Sequence, residues 1–146
     1  ELAALKVRAE VEPDLVEWDY GAYEGQPSAG VQELNPDWNL FRDGCPQGET
    51  PMVVCGRADR LIAKLRTMGG NVALFTHGHF GRTLAARWIG LPIAEARHFL
   101  FGTAAVSVLS YEHERAGSPA IALWNSSLGE LPGAIAQLPS KKETPL

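Results

Sequence analysis

Apolar positions along the chain follow two different spacings, and each spacing predicts its own kind of element. Between residues 51 and 68 the apolar residues recur every three or four positions, which is the period of an amphipathic helix. Thr50 offers an N-cap before Pro51, and Gly69 and Gly70 follow the last apolar position. We predict a helix here whose buried face carries Val54, Ala58, Leu61, Ile62, Leu65 and Met68.

A short apolar run, Asn71 to Thr76, leads into a second helical pattern. Continuous apolar runs of this length are typical of strands that are covered on both faces. Helical spacing then places Phe80, Leu84, Trp88 and Ile89 on one face, and Gly90 and Pro92 end the helix. The pattern predicts a strand, a turn and a helix in succession.

The two ends of the chain complete a predicted α/β domain. Residues 1–6 are typical of a helix end, and residues 7–11 alternate as a half-buried strand does. Residues 105–111 and 120–124 predict a hairpin around a turn-rich segment, and the tail 129–146 is expected to be loosely held. Alternating helices and buried strands predict a three-layer α/β/α sandwich with a mostly parallel sheet.

Two segments between these elements carry loop composition. Residues 17–25 combine two glycines with Trp18, Tyr20 and Tyr23, which are either core aromatics or the walls of a substrate pocket. Residues 26–48 are rich in Pro, Asn, Asp and Gly, and we expect a weakly regular lid or binding loop there. Within that loop, Arg42 and Asp43 are either a surface pair or lid contacts.

Composition limits the class of protein without identifying it. The 146 residues fit one domain, and a net charge of -4 offers no basic stripe for nucleic acid. No apolar run reaches the roughly 20 residues of a membrane-spanning helix. Cys45 and Cys55 lack the spacing of a zinc or redox motif, so we expect reduced thiols in a cytoplasmic protein. The oligomeric state stays open.

The end of the 71–76 run carries the most informative chemistry. In parallel sheets, ligands bind beyond the carboxyl ends of strands, where His77 and Gly78 would lie. Amides at the start of the next helix attract anions, an imidazolium at His77 adds positive charge, and Arg82 follows about one turn later. The combination predicts a phosphate pocket. Glu17, at the end of another apolar segment, is the candidate proton donor to a leaving alcohol.

The other histidines have plainer interpretations. His79 taken alone is interpreted as a hydrogen-bonded structural residue, and His98 and His113 as structural or exposed. No third ligand has convincing spacing beside His77 and His79, so neither a metal nor another cofactor is predicted.

Four segments in order resemble the histidine phosphatase superfamily, the phosphoglycerate mutase-like proteins: "LVEWDYGAYEG", "GET", "ALFTHGHFGRTLAARWIGLP" and "GTAAVSVLSY". Within it, "EWDYGAYEG", "WNLFRDG" with "GET", and "HGHFGR" are most similar to the sedoheptulose-bisphosphatase branch. The resemblance implies metal-free phosphoryl transfer from a small phosphorylated substrate through phosphohistidine. It also implies that Glu17 is the proton donor, that His77 contacts the transferring phosphoryl group, and that Tyr20 and Arg82 contact substrate.

The resemblance also implies a nucleophilic histidine in an Arg-His-Gly segment, which these 146 residues do not contain. We therefore expect an upstream strand-and-helix unit of roughly 30 residues or more to belong to the complete enzyme. Three functions stay open for the protein: a phosphatase acting on a phosphomonoester such as a sugar phosphate, a phosphoglycerate mutase, and an inactive phosphate-binding or scaffold protein.

Overall fold

A computed structural model describes residues 9–114, 117–127 and 129–130 of the chain. In this part of the chain the α-helices are α1 (Ser28–Leu34), α2 (Leu40–Asp43), α3 (Pro51–Thr67) and α4 (Gly78–Trp88). Two strands follow, β1 (Val106–Tyr111) and β2 (Pro119–Ser126). Short 3-10 helices cover Pro13–Leu15, Gly21–Tyr23, Ile93–His98 and Glu112–Glu114.

Helix α3 confirms the first helical prediction. Thr50 caps it, because its Oγ1 accepts a hydrogen bond from the backbone N–H of Val53 at 3.4 Å. The predicted inner face is buried at Val54, Ala58, Leu61 and Ile62. Met68 is 47% exposed, because it lies after the last helical turn in extended backbone. Arg57 is buried on the same face, so a charged group lies inside the core.

Helix α4 and the hairpin also confirm their predictions. α4 packs against α3, and it ends at Trp88, two residues before Gly90 adopts a φ of 80°. β1 and β2 are antiparallel, with Leu109 opposite Ile121. The indole N–H of Trp88 lies 3.0 Å from the carbonyl oxygen of Ser110 and 3.2 Å from that of Ala120. The Trp88 side chain therefore links the hairpin to α4.

The predicted parallel sheet does not occur among the described residues. Residues 71–76 and 9–11 are not strands there, and the sheet consists of β1 and β2 alone. Phe75 is 87% exposed, although the prediction made it part of a covered strand. A parallel strand needs backbone partners along its edges. Thr76 Oγ1 instead donates to the carbonyl oxygen of Leu15 at 2.7 Å, and this side-chain contact joins the 71–76 segment to the 3-10 helix Pro13–Leu15.

Residues 26–48 form part of the core, which the predicted weakly regular composition did not indicate, and their role as a lid or binding loop stays a prediction. They contain α1 and α2, and their apolar side chains Val31, Trp38, Leu40, Phe41 and Cys45 join the main hydrophobic cluster. The Trp38 indole N–H donates to the carbonyl oxygen of Gly44 at 2.9 Å, which satisfies a buried polar atom. Burial of these side chains outweighs the Pro and Gly signals for irregular structure.

The predictions for the two chain ends mostly concern residues that the structure does not describe. The helix end over residues 1–6 and the tail beyond residue 130 lie outside the described residues. Among the described residues, every helix is too short or too polar to span a bilayer.

Candidate active site

The Glu17 carboxylate lies against the first turn of α4. It accepts hydrogen bonds from the backbone N–H groups of His79 at 3.1 Å and Phe80 at 2.9 Å, and from that of its neighbour Trp18 at 2.9 Å. The N–H groups that open a helix have no partner within it, and the helix dipole favours a negative group there. The first turn of α4 is therefore an anion site, and the Glu17 carboxylate occupies it.

This contact changes the predicted phosphate pocket. Sequence reasoning assigns the opening amides of α4 to a phosphate, yet those of His79 and Phe80 already hold Glu17. Gly78 lies directly beside the carboxylate, since a Cβ at this position would be 3.8 Å from Glu17 Oε2. The His79 and Phe80 amides are therefore bound to the Glu17 carboxylate in this structure.

His77 is the N-cap residue of α4 and has extended backbone. Its side chain is exposed and makes no capping hydrogen bond to the helix. This exposed imidazole is directly accessible to a solute, and His77 immediately precedes Gly78 in the chain. His77 and Glu17 thus flank the same helix end.

Tyr20 and His79 form a hydrogen-bonded pair beside Glu17. The Tyr20 oxygen and His79 Nδ1 are 2.6 Å apart, and the two rings meet edge to face. Burial, with a further contribution from Glu17, holds the pKa of the Tyr20 phenol well above its usual value. Burial also lowers the pKa of His79, against the opposing charge of Glu17. His79 matches its interpretation as a hydrogen-bonded residue, and its place is inside the site.

Arg82 lies near this group but directs its hydrogen bonds elsewhere. Its Nε and Nη2 donate to the carbonyl oxygens of Ala96 at 3.2 Å and Arg97 at 3.1 Å. The guanidinium also lies 4.6 Å from the centre of the Phe41 ring. Burial lowers the pKa of Arg82, while Glu17 and Tyr20 oppose the shift. These contacts join α4 to the 93–98 helix, and the role of Arg82 toward the same anion as His77 or another group on its carrier stays a prediction.

The structure decides several alternatives that the sequence left open. Trp18 is a core residue at 1% exposure, and Tyr23 packs edge to face on Trp38. Arg42 and Asp43 are a surface ion pair at 2.7 Å. His98 and His113 are exposed.

The remaining candidate ligands do not converge. In the part of the chain that the structure describes, no group of three or more His, Cys, Asp or Glu side chains could hold a metal ion. Cys45 and Cys55 are both free thiols.

Sequence reasoning missed a partly buried ion pair next to Glu17. Arg57 Nε and Nη2 each lie 2.8 Å from a carboxylate oxygen of Glu49. One signal for this pair was present in the sequence, because Arg57 lies between Val54 and Leu61 on the apolar face of α3. A charged side chain at a buried position requires a partner.

Comparison with known proteins decides the family. The profile of the histidine phosphatase superfamily, branch 1, matches residues 1–127. The chain belongs to the histidine phosphatase superfamily. This membership confirms the resemblance inferred from the sequence motifs.

Two curated relatives of this histidine phosphatase chain are themselves phosphatases. An acid phosphatase from Mycobacterium tuberculosis is 43% identical over 114 residues, which are 77% of this chain and 56% of that protein. The sedoheptulose 1,7-bisphosphatase of Saccharomyces cerevisiae is 29% identical over an alignment of 167 positions. The alignment covers 81% of this chain and 62% of that protein.

Solved structures agree with the fold of the superfamily. An open reading frame product from Mycobacterium tuberculosis has a TM-score of 0.76 at 40% identity, over 86% of this chain and 64% of that one. The alpha-ribazole phosphatase from Shigella flexneri has a TM-score of 0.67 at 22% identity, over 86% and 64%, and it supports the fold alone. The histidine phosphatase chain described here spans less than two thirds of the length of these relatives.

Proposed function

We propose that the complete protein hydrolyses a small phosphomonoester, with sugar phosphates as the substrate class, through a phosphohistidine intermediate. The proposal includes a three-layer α/β/α sandwich in which an upstream segment supplies the nucleophilic histidine. Family membership and the two phosphatase relatives support a phosphatase in general. They also favour hydrolysis over the mutase alternative.

One observation carries the assignment of roles: the Glu17 carboxylate and His77 flank the same helix end. In the first step the nucleophilic imidazole attacks phosphorus, the ester P–O bond breaks, and Glu17 gives its proton to the leaving oxygen. Water then attacks the phosphohistidine, the P–N bond breaks, and the Glu17 carboxylate accepts a proton from the water. His77 stabilises the transferring phosphoryl group electrostatically, and Gly78, Tyr20 and Arg82 contribute to the substrate side of the pocket.

Leaving-group dependence tests this assignment in the complete protein. Glu17→Gln removes the proton donor, so turnover of alkyl phosphates such as sugar phosphates should fall by about 100-fold or more. Turnover of p-nitrophenyl phosphate should fall much less, because its leaving group needs little protonation. An equal loss on both substrates, measured in the phosphoenzyme-forming step, would remove Glu17 as the donor.

A second candidate function rests on the sequence, because these 146 residues contain no Arg-His-Gly segment. A protein without that nucleophile would bind phosphate without turning over an ester. We expect the 146-residue chain alone to form no acid-labile phosphoprotein and the complete protein to form one. If the complete protein also forms none and turns over no phosphomonoester, the binding function replaces the phosphatase.

A further inference from the structure

Arg57 contacts the backbone that carries Glu17. Its side chain is 9% exposed. Nη1 donates to the carbonyl oxygens of Asp14 at 2.8 Å and Val16 at 3.1 Å, and Nη2 lies 3.4 Å from that of Glu17. A guanidinium presents its N–H donors in a rigid planar fork. These carbonyls are therefore held in one arrangement by a single buried group.

The Arg57 guanidinium also contacts α4, whose first turn binds the Glu17 carboxylate. Its central carbon lies 4.6 Å from the centre of the Phe80 ring, and the backbone N–H of Phe80 donates to Glu17 at 2.9 Å. Arg57 thus touches both the residue that bears the carboxylate and a residue that binds it.

Glu49 extends this arrangement to the residues after Glu17. Besides its two contacts with Arg57, its carboxylate accepts the backbone N–H of Asp19 at 3.1 Å. Its backbone N–H donates to the carbonyl oxygen of Asp19 at 2.9 Å, and its carbonyl oxygen accepts the Trp18 indole N–H at 3.0 Å. Arg57 therefore fixes the chain before Glu17, and Glu49 fixes the chain after it.

We propose that Arg57 and Glu49 are positioning residues that fix the Glu17 carboxylate at the N-terminal end of α4. The inference rests on the proposed role of Glu17 as proton donor. A donor displaced by about 1 Å can lose about 100-fold in rate, so such an arrangement has a measurable consequence. Lysine cannot replace Arg57 here, because a single ammonium cannot bind both oxygens of Glu49 and three carbonyls at once.

The test compares Arg57→Lys with a matched control in the complete protein. The control is Arg87→Lys, because Arg87 also makes a two-point ion pair, with Asp59 at 2.9 and 3.1 Å, and bonds the carbonyl oxygen of Leu91. Arg57→Lys should slow a sugar phosphate about 10- to 100-fold and p-nitrophenyl phosphate by less than about 3-fold. Arg87→Lys should change both rates by less than about 2-fold, as a substitution away from the site does.

A double variant separates positioning from a general loss of stability. If Arg57 acts through Glu17, adding Arg57→Lys to Glu17→Gln should cause no further loss on the sugar phosphate. Equal losses on both substrates for Arg57→Lys, alongside a selective loss for Glu17→Gln, would overturn the positioning role and leave the proposed function intact. The same comparison applies to Glu49→Gln. This variant tests the positioning role if Arg57→Lys does not fold.

Amide hydrogen exchange provides a readout that does not depend on the reaction. If Glu17→Gln shows no selective loss, the proposed function fails, and exchange then decides whether Arg57 still fixes the carboxylate. Arg57→Lys should speed exchange at the amides of His79 and Phe80 by about 10-fold or more relative to Arg87→Lys. Unchanged exchange at these two amides would overturn the positioning role.

Discussion

Tyr20 and His79 are joined by a hydrogen bond of 2.6 Å between the phenol oxygen and Nδ1, beside the Glu17 carboxylate. Burial, with a further contribution from Glu17, holds the pKa of Tyr20 well above its usual value, so the phenol keeps its proton. The two histidines around Gly78 differ in exposure, since His77 is exposed at the helix end and His79 is partly buried beside Tyr20.

This pair predicts that stability falls in mild acid. Burial lowers the pKa of His79 from the usual 6.5, so the unfolded chain binds this proton more readily than the folded one. The stability that neutral His79 provides is complete above about pH 6.5 and is lost as the pH falls through the folded-state pKa. Urea unfolding of the wild type between about pH 5 and pH 8 should show the free energy of unfolding falling on the acid side.

His79→Gln should flatten this pH dependence, whereas His98→Gln should leave it unchanged because His98 is exposed. The lowered pKa values of Glu12 and Asp43 also cost stability in acid, but they act in the carboxylate range, well below the imidazole range. A His79→Gln profile parallel to that of the wild type between about pH 5 and pH 7 would show that His79 is not the titrating group.

His77 should be required for turnover and dispensable for folding. In the complete protein, His77→Ala should lower kcat by about 100- to 1,000-fold, because electrostatic stabilisation of a transferring phosphoryl group is a large contribution. Its exposed side chain makes no capping hydrogen bond to α4, so the melting temperature should stay within a few degrees of the wild type. His98→Ala is the control. Near-normal turnover of every phosphomonoester by His77→Ala would exclude His77 from the mechanism.

Local signals were sufficient for the elements whose stability is local. Thr50, the periodic apolar residues of α3 and the Gly69–Gly70 pair give the limits of that helix within a residue or two. The hairpin followed from two alternating runs around a turn. The core position of the 26–48 segment was missed, because Phe41 is buried among residues that are distant in sequence, Trp18 and His79 among them.

The candidate site likewise has one feature that the sequence predicts and other contacts that it does not. The motif around His77 and Gly78 marks a helix start, and a helix start is visible in sequence. The contacts of Glu17 with Phe80 and of Tyr20 with His79 join residues about 60 positions apart, so only the fold reveals them. The predicted parallel sheet is not formed among the described residues, because an apolar run such as residues 71–76 indicates a strand without showing what pairs with it.

The two cysteines should react at different rates. Burial raises the pKa of Cys45 to about 11, with Asp19 and Glu24 adding to the shift. Burial also raises the pKa of Cys55, but Arg87 opposes that shift and the thiol is less buried. Because the thiolate is the reactive form, Cys55 should be modified by a disulfide reagent before Cys45 at about pH 8. The difference should vanish in urea, and faster native modification at Cys45 would contradict the burial of its side chain.

Two glycines near Tyr20 offer a direct test of how tightly this loop is held. Gly21 and Gly25 both adopt positive φ, 51° and 72°, so alanine is strained at either position. A Cβ at Gly21 would also lie 2.3 Å from the Gly48 nitrogen and 2.4 Å from the Pro46 carbonyl oxygen, whereas no atom lies within 4 Å of one at Gly25.

Gly25→Ala should therefore cost about 1 kcal/mol of unfolding free energy, from the backbone conformation alone. Gly21→Ala should cost about 3 kcal/mol or more, because the two backbone segments must separate. That separation would break the hydrogen bond from the Ala22 N–H to the Pro46 carbonyl oxygen, which is 2.8 Å long. Urea unfolding at neutral pH measures both variants, and equal losses would show that residues 46–48 do not confine the Tyr20 loop.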